Sequence, residues 1–458
     1  MSKVHFDLIV IGSGPAGQKA AFQASKLGKK VAVIEKYPNP GGASLNTGTI
    51  PSKSLREAIL DLSEFYQKSY YASEEKVHDI SINQLNYRLS YVLERQREHL
   101  KKQFAKNQIE LITATASFID DHTVQVGDAQ LHADFILIAT GSKPRNPTHV
   151  PFDKSTILDS TRLLEIDHVP KTMLVLGGGI IGSEYASFFA ALGTKVTVID
   201  RKEQMLPYLD REIGKHLQEG LARLGLKFVG PKEFTQITKH AEGDAQITFK
   251  DGTSLRGEML LYALGRSANV DQLQIDKAGL TLDEKGYIPV NALFQTVKPH
   301  IYAAGDVIGG PSLSATSFEQ GRLAARHAFG APTHHFPDFY PIGIYTIPEI
   351  SSIGYSEEQL QKLGFNYEVG RAYYYEIARN QIAGNDTGMF KILFHKDTLE
   401  ILGVHIIGRG ATEVIHIGQV AMTFKAHIDY FIDQVFNYPT YAEGYRIAAL
   451  NGLNKVRR

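Results

Sequence analysis

Phe6-Asp-Leu-Ile-Val-Ile-Gly12-Ser-Gly14-Pro-Ala-Gly17 is the stretch that decides the fold. An apolar run of strand length stops at a glycine turn and an Ala-rich helical stretch follows. Leu27-Gly28-Lys-Lys-Val-Ala-Val-Ile-Glu35 then supplies a second apolar run ending in an acid. The same unit recurs at Met173-Leu-Val-Leu-Gly177-Gly-Gly179-Ile-Ile-Gly182 and closes on Leu192-Gly193-Thr-Lys-Val-Thr-Val-Ile-Asp200. From the first glycine to the Leu-Gly glycine is 16 residues in both copies, and from the last glycine to the acid is 18 in both. A lone Gly-x-Gly-x-x-Gly carries little weight. Two copies, each in a full strand–turn–helix–strand setting, predict two dinucleotide-binding units.

Within each unit the three glycines have separate tasks. Gly12 and Gly177 permit the tight turn, Gly14 and Gly179 let the backbone approach a pyrophosphate, and Gly17 and Gly182 let helix and strand pack closely. The phosphates would rest on free amides at the positive end of the helix. Glu35 and Asp200 would each accept hydrogen bonds from an adenosine ribose diol. Two dinucleotides on one chain suit hydride transfer between them.

The composition narrows the classes around these units. A length of 458 residues suggests about three domains at roughly 150 residues each. Lys+Arg and Asp+Glu are both 49, so no excess of positive charge is present to hold nucleic acid or an anionic membrane, and neither is expected as a partner. No stretch approaches the roughly 20 apolar residues of a membrane span, and Met1–Phe6 has no apolar leader core, so a cytoplasmic address is expected. Cysteine is absent, which excludes disulfides, thiolate metal sites and thiol chemistry. The 17 histidines form no recognisable metal-ligand motif, and no metal is expected; His405 and His416 lie in apolar patterns and His334-His335 in a Pro-flanked linker.

Elsewhere, Ser52 to about Lys106 alternates apolar and charged residues at helical spacing. Asp134-Phe-Ile-Leu-Ile-Ala-Thr140-Gly141, Leu260-Leu-Tyr-Ala-Leu-Gly265-Arg and His300-Ile-Tyr-Ala-Ala-Gly305-Asp306 each read as a strand running into a loop. Beyond Pro337 the pattern changes to alternating strands mixed with apolar helices. The expected fold class is α/β: two Rossmann-like dinucleotide-binding domains plus a C-terminal α+β domain.

The whole chain resembles the two-dinucleotide-binding-domain flavoproteins, the pyridine nucleotide-disulfide oxidoreductase family. The resemblance is carried by both glycine loops, by Gly41-Gly-Ala-Ser-Leu-Asn-Thr-Gly-Thr-Ile-Pro-Ser-Lys53, by Ala139-Thr-Gly141 and by Ala304-Gly-Asp306. It implies non-covalent FAD on the first unit and NAD(P) on the second. Residues 1–148 and 269–336 would form the FAD-binding domain, 149–268 the NAD(P)-binding domain and 337–458 a homodimerisation domain. Lys53 would stand beside the flavin paired with Glu184, these two being the implied catalytic residues. Further cofactor contacts implied by the family pattern are Lys36, Gly42, Ser44, Thr49, Thr140, Gly141, Gly265 and Asp306, with Ile180 where several relatives place a covering tyrosine.

The sequence departs from the family's thiol relay at three places together. Ser44 and Thr49 occupy the positions of the two redox cysteines, and Tyr438-Pro-Thr-Tyr-Ala-Glu443 stands where the family has His-Pro-Thr-x-x-Glu. A hydroxyl is a poor electron carrier, and Tyr, with an ordinary pKa of about 10 against about 6.5 for His, is a poor base near neutrality. A disulfide reductase is thereby excluded. Segments such as Gly343-Ile-Tyr-Thr-Ile-Pro-Glu-Ile-Ser-Ser352, Lys391-Ile-Leu-Phe-His395 and Phe436-Asn-Tyr-Pro-Thr440 resemble the transhydrogenase branch of the family, which likewise has Thr at the second cysteine position. That resemblance implies hydride passage from NADPH to NAD through the flavin, by a ping-pong route. Asp200 suits the diol of NAD, and Arg201 and Lys202 would answer the 2′-phosphate of NADP. The alternatives are a diaphorase passing electrons to a quinone, and a dinucleotide-binding protein without turnover.

Overall fold

In the computed structural model, which describes residues 4–67 and 82–456, the first unit folds as its glycine spacing predicts. Strand Val4–Ile11 lies at the centre of a seven-stranded sheet, parallel to Val31–Glu35 on one side and to Ala129–Ile138 on the other. Leu8, Ile9, Val10 and Ile11 are all buried. Both faces of a central parallel strand are covered, which is why this stretch is a continuous apolar run rather than an alternating one. Glu110–Thr113 extends the sheet beyond Val31–Glu35. The far edge of Ala129–Ile138 is shared by the Thr123–Val126 hairpin and by Ile301–Ala303, a strand that returns from far along the chain.

The helix Pro15–Lys26 presents Ala16, Ala20, Ala21 and Ala24 to the interior, where it packs on the helix Ser314–Ala328. The small residues set the distance between the two helices: a Cβ at Gly321 would lie 2.0 Å from the Ala16 carbonyl oxygen. The apolar-charged segment read as helical contains two helices, Thr49–Gln67 and Ile82–Lys106, while its residues 68–81 lie outside the described part.

The second unit builds a separate five-stranded parallel sheet in the order Lys227–Val229, Lys195–Ile199, Thr172–Leu176, Met259–Tyr262, Ile157–Leu158. Its helix Ile180–Ala191 is buried almost all round, Ser183, Glu184 and Ser187 included. One side faces its own sheet and another faces Thr49–Gln67, so an ordinary amphipathic stripe would leave apolar surface unmatched. A short antiparallel ladder between Ser142–Pro144 and Arg266–Ala268 marks where the chain crosses between the two sheets. The third region is an antiparallel five-stranded sheet in the order Ile342–Ile344, Ile350–Gly354, Ile401–Ile407, Met389–His395, Tyr367–Tyr373, packed under the helices Ala411–Thr423 and Glu443–Val456.

Candidate active site

The two glycine loops are near copies. Gly12 and Gly177 adopt φ of +105° and +114°, and a Cβ on either would meet a carbonyl oxygen, that of Ala139 at 2.4 Å or that of Ala263 at 2.6 Å. Gly17 and Gly182 are tighter, with a Cβ only 2.0 and 1.9 Å from the carbonyl oxygen of Gly12 and Gly177. The middle glycines differ in kind. A Cβ at Gly14 would touch nothing nearer than the Gly42 Cα at 3.9 Å, and one at Gly179 would meet nothing within 4 Å. Nothing in the protein forbids a side chain there. Both glycines face open space and line the cavity described below.

Both terminal acids are held by their own loops. Glu35 is buried and accepts from the Ser13 amide at 3.1 Å, the Ser13 hydroxyl at 2.6 Å and the Tyr37 amide at 3.1 Å. Asp200 accepts from the Gly178 amide at 2.6 Å and the Lys202 amide at 2.9 Å. Each carboxylate thus lies beside its own glycine turn, fixed in rotamer and with acceptor capacity left over.

A cavity of about 1920 Å³ opens in front of the first loop and runs between the three regions of the chain. Ordinary small-molecule pockets span roughly 300–1,000 Å³, so this one has room for more than one such ligand. Of the residues expected at the site, Gly12, Gly14, Glu35, Lys36, Gly42, Ser44, Thr49, Lys53, Thr140, Gly141, Gly179, Ile180, Glu184, Gly265 and Asp306 line it. Gly17, Gly177 and Gly182 sit behind the lining, in the packing of strand, turn and helix. Asp200, Arg201 and Lys202 also lie outside the cavity wall, at the end of strand Lys195–Ile199, with Arg201 and Lys202 exposed.

At the centre of the cavity wall, Lys53 Nζ donates to Glu184 Oε2 at 2.7 Å. The other carboxylate oxygen of Glu184 accepts the Tyr345 amide at 2.9 Å. One buried carboxylate therefore joins a helix of the first unit, a helix of the second and a strand end of the third region. The two positions expected to lack thiols are occupied by interacting hydroxyls: Ser314 Oγ lies 2.7 Å from Ser44 Oγ and 3.2 Å from Thr49 Oγ1. Asp306 accepts from the Ser142 hydroxyl at 2.6 Å, and Ser142 in turn accepts from Arg266 Nε at 2.7 Å. Burial lowers the pKa of the Arg266 guanidinium against the opposing charges of Asp306 and Asp159. The Thr140 hydroxyl is buried in the cavity wall without a protein hydrogen-bond partner, an orphan that a bound ligand would satisfy.

Sequence reasoning did not single out Ser314, Ser142 or Arg266, and it quoted Tyr345 without giving it a role. Only the fold brings Ser314 to Ser44, 270 residues apart. Tyr438 is 73% exposed and outside the cavity of its own chain. His405 is buried with its Nε2 on the Tyr355 carbonyl oxygen at 2.9 Å. Asp121, His122 and His300 do converge, with ligand atoms within 4.8 Å of one another. That grouping, which no spacing in the chain announced, has Lys298 on Asp121 at 3.0 Å and the two imidazoles stacked face to face at 3.9 Å.

Comparison with known proteins follows the same outline. The family model of the pyridine nucleotide-disulphide oxidoreductases matches residues 6–321, and the model of their dimerisation domain matches residues 340–449. A protein of Mycobacterium bovis named soluble pyridine nucleotide transhydrogenase is 45% identical, across 99% of this chain and 98% of its own. One of the same name from Photorhabdus laumondii is 43% identical across the full length of both. Among solved structures, the HOCl-induced flavoprotein disulfide reductase RclA of Escherichia coli superposes with a TM-score of 0.88 at 26% identity, covering 97% of this chain and 99% of that one. LpdA of Mycobacterium tuberculosis shares the fold with a TM-score of 0.90, covering 98% of this chain and 99% of that one.

Proposed function

Since this chain belongs to the pyridine nucleotide-disulphide oxidoreductase family, whose fold binds a flavin and NAD(P), we propose that it is an NAD(P) transhydrogenase carrying a hydride from NADPH to NAD⁺. One observation supports this reading above the rest. Both nucleotide loops are intact and open around Lys53–Glu184, while hydroxyls fill the two positions where a thiol relay would stand. The stoichiometry agrees: NADPH and NAD⁺ give NADP⁺ and NADH with no proton taken up or released. A base such as the family's His is not needed for that balance, whereas reduction of a disulfide requires one.

In this reading the first loop takes FAD without a covalent link. Gly14 leaves the space for its pyrophosphate, Glu35 receives its adenosine ribose, and Asp306, Thr140 and Gly141 border its extended middle. When bound, FAD supplies the ring that accepts a hydride from one nicotinamide and delivers it to the next. The chain contributes binding, alignment and charge. Glu184 holds the Lys53 ammonium at the cavity wall, where its positive charge stabilises negative charge arriving nearby. Asp200 receives the ribose diol of NAD(H), and Arg201 and Lys202 answer the extra phosphate of NADP(H). Residues 1–148 with 269–336, 149–268 and 337–458 are taken as the FAD, NAD(P) and dimerisation domains. Val420, Phe424, Val435 and Tyr438 give the last an exposed apolar surface for a second copy. Among the described residues no helix is long and apolar enough to cross a membrane, and a cytoplasmic address completes the reading.

A single second loop means one nicotinamide site per chain, so the first product must leave before the acceptor enters. Double-reciprocal plots should be parallel. Under anaerobic conditions NADPH alone should bleach the flavin absorbance, and NAD⁺ should restore it at a rate matching turnover. No long-wavelength thiolate charge-transfer band should appear. Intersecting plots would require two nicotinamides bound together. Restoration by a quinone much faster than by NAD⁺ would assign the chain to the diaphorases.

A further inference from the structure

We propose that Tyr345 is a positioning residue for the Lys53 ammonium, so that the third region of the chain acts on hydride transfer through the face of one aromatic ring. The inference rests on the flavin site proposed above and adds a residue to it.

Lysine is a compact charge on a flexible four-carbon stem, and a single carboxylate leaves it free to swing about that contact. Here a second contact limits the swing. Lys53 Nζ stands 4.7 Å from the centroid of the Tyr345 ring, within the range at which a cation is attracted to an aromatic face. The ring is itself fixed. Its backbone amide donates to the same Glu184 carboxylate that holds the ammonium, at 2.9 Å, which fixes the strand end that carries it. Arg56 approaches the ring at 6.0 Å, tied by Nη2 to Glu349 at 2.8 Å and by Nε to the Thr346 carbonyl oxygen at 3.3 Å.

The ring therefore belongs to a connected set that includes Lys53, Glu184 and Arg56, drawn from three parts of the chain. Burial raises the pKa of the Tyr345 hydroxyl, so the ring stays neutral at ordinary pH and its face stays available to the cation. Glu184 is almost fully buried while Lys53 retains 23% side-chain exposure, and both line the cavity. The ammonium also donates to the Ser52 hydroxyl at 3.3 Å, so carboxylate, ring and hydroxyl together hold it at the cavity wall.

The test compares full-length wild type with Tyr345→Phe, Tyr345→Leu and Tyr345→Met, each purified with FAD. Three quantities are read: flavin content, the midpoint potential of the bound flavin, and the single-turnover rate of its anaerobic reduction by NADPH. Leu and Met should keep the flavin and bind NADPH within about twofold of wild type, but react about tenfold more slowly and at a more negative potential. Phe, which keeps the ring face and loses only the hydroxyl, should recover most of both. Leu and Met at wild-type rate and potential would overturn the proposal, and so would Phe as impaired as Leu, since the hydroxyl rather than the ring face would then be responsible. A wild-type chain that takes up no FAD would instead defeat the underlying flavin site, which separates that failure from this one.

Discussion

At the scale of single residues, the middle and last glycines of the first loop should part company on substitution. Gly14→Val meets no protein atom closely, so the chain should fold while its branched side chain fills the pyrophosphate space. The expected product is a folded apoprotein, read by far-UV circular dichroism together with flavin absorbance. A fully yellow protein would remove this loop from FAD binding. Gly17→Ala sets a methyl 2.0 Å from the Gly12 carbonyl oxygen and should fail earlier, at soluble expression. Restoring thiols by Ser44→Cys and Thr49→Cys should not bring back disulfide reduction, because a tyrosine still stands at position 438 where the family has its His; glutathione or dithiol turnover in that double variant is the check. These glycines and hydroxyls were legible because spacing alone identifies them. Ser314 and Tyr345 were not, since neither belongs to a spacing rule and each acquires its partners only through contacts more than 160 residues apart.

Among elements, the most consequential is the stretch from Asp200 to the start of helix Arg211–Arg223. At one end Asp200 is tied to the Gly178 amide. At the other, Asp210 caps the helix by accepting from the Glu212 amide at 3.1 Å, and also receives Lys391 Nζ from the third region at 2.9 Å. Lys391 is 1% exposed and reaches Glu212 at 3.0 Å and Glu357 at 2.5 Å, while Arg371 forks onto Glu212 at 2.8 and 2.9 Å. Removing one partner of a buried ionic group leaves the others uncompensated, so Lys391→Met should cost about 3–5 kcal/mol in denaturant unfolding. Adding Asp210→Asn, which keeps a capping side chain, should recover part of that loss. Burial pushes the Glu212 carboxyl up, but hydrogen bonds from Arg371 and Lys391 outweigh it and hold its pKa below the ordinary 4.5. Burial likewise pushes Lys391 down, yet the Asp210 charge and its acidic partners hold it above 10.5. The contribution of Glu212 is thus complete above about pH 4.5 and fades as pH falls through its lowered value, while that of Lys391 is complete below about pH 10.5 and fades as pH rises. Lys391→Met should flatten the stability profile at both extremes. The nearby Arg201 and Lys202 make a separate prediction. Replacing both by Ala should raise KM for NADPH over that for NADH by an amount worth about 1–3 kcal/mol, and equal effects would remove them from phosphate reading. Lys391 is legible in the sequence only as part of a strand; its acids, on the cap and first turn of helix Arg211–Arg223 and on helix Glu357–Leu363, meet it only through the fold.

For the whole molecule, the repeated glycine unit made the central parallel strands of two sheets legible, since buried parallel strands and their turns are written locally. The change of pattern after Pro337 likewise marked a region that folds as an antiparallel sheet under helices. Less legible was how the regions interlock. The crossing ladder between Ser142–Pro144 and Arg266–Ala268 is three residues long on each strand, too short to announce itself by alternation. The cavity between the regions has no local signature either, because its wall is assembled from segments that each fold for their own reasons.

The return of Ile301–Ala303 to the edge of Ala129–Ile138 has a consequence for how the chain is made. Synthesis delivers residues from the N-terminus at roughly 5–20 per second, so the opening sheet stays one strand short until about residue 303 has left the ribosome tunnel. By then every strand of the inner parallel sheet, Ile157–Leu158 through Met259–Tyr262, has already emerged. The region begun second is therefore able to close first. A nascent chain arrested so that residue 290 has just cleared the tunnel should yield a protease-resistant core from the second sheet while the N-terminal strands are still cut. Lengthening the chain past the helix Ser314–Ala328, which seats against Pro15–Lys26, should be what protects them.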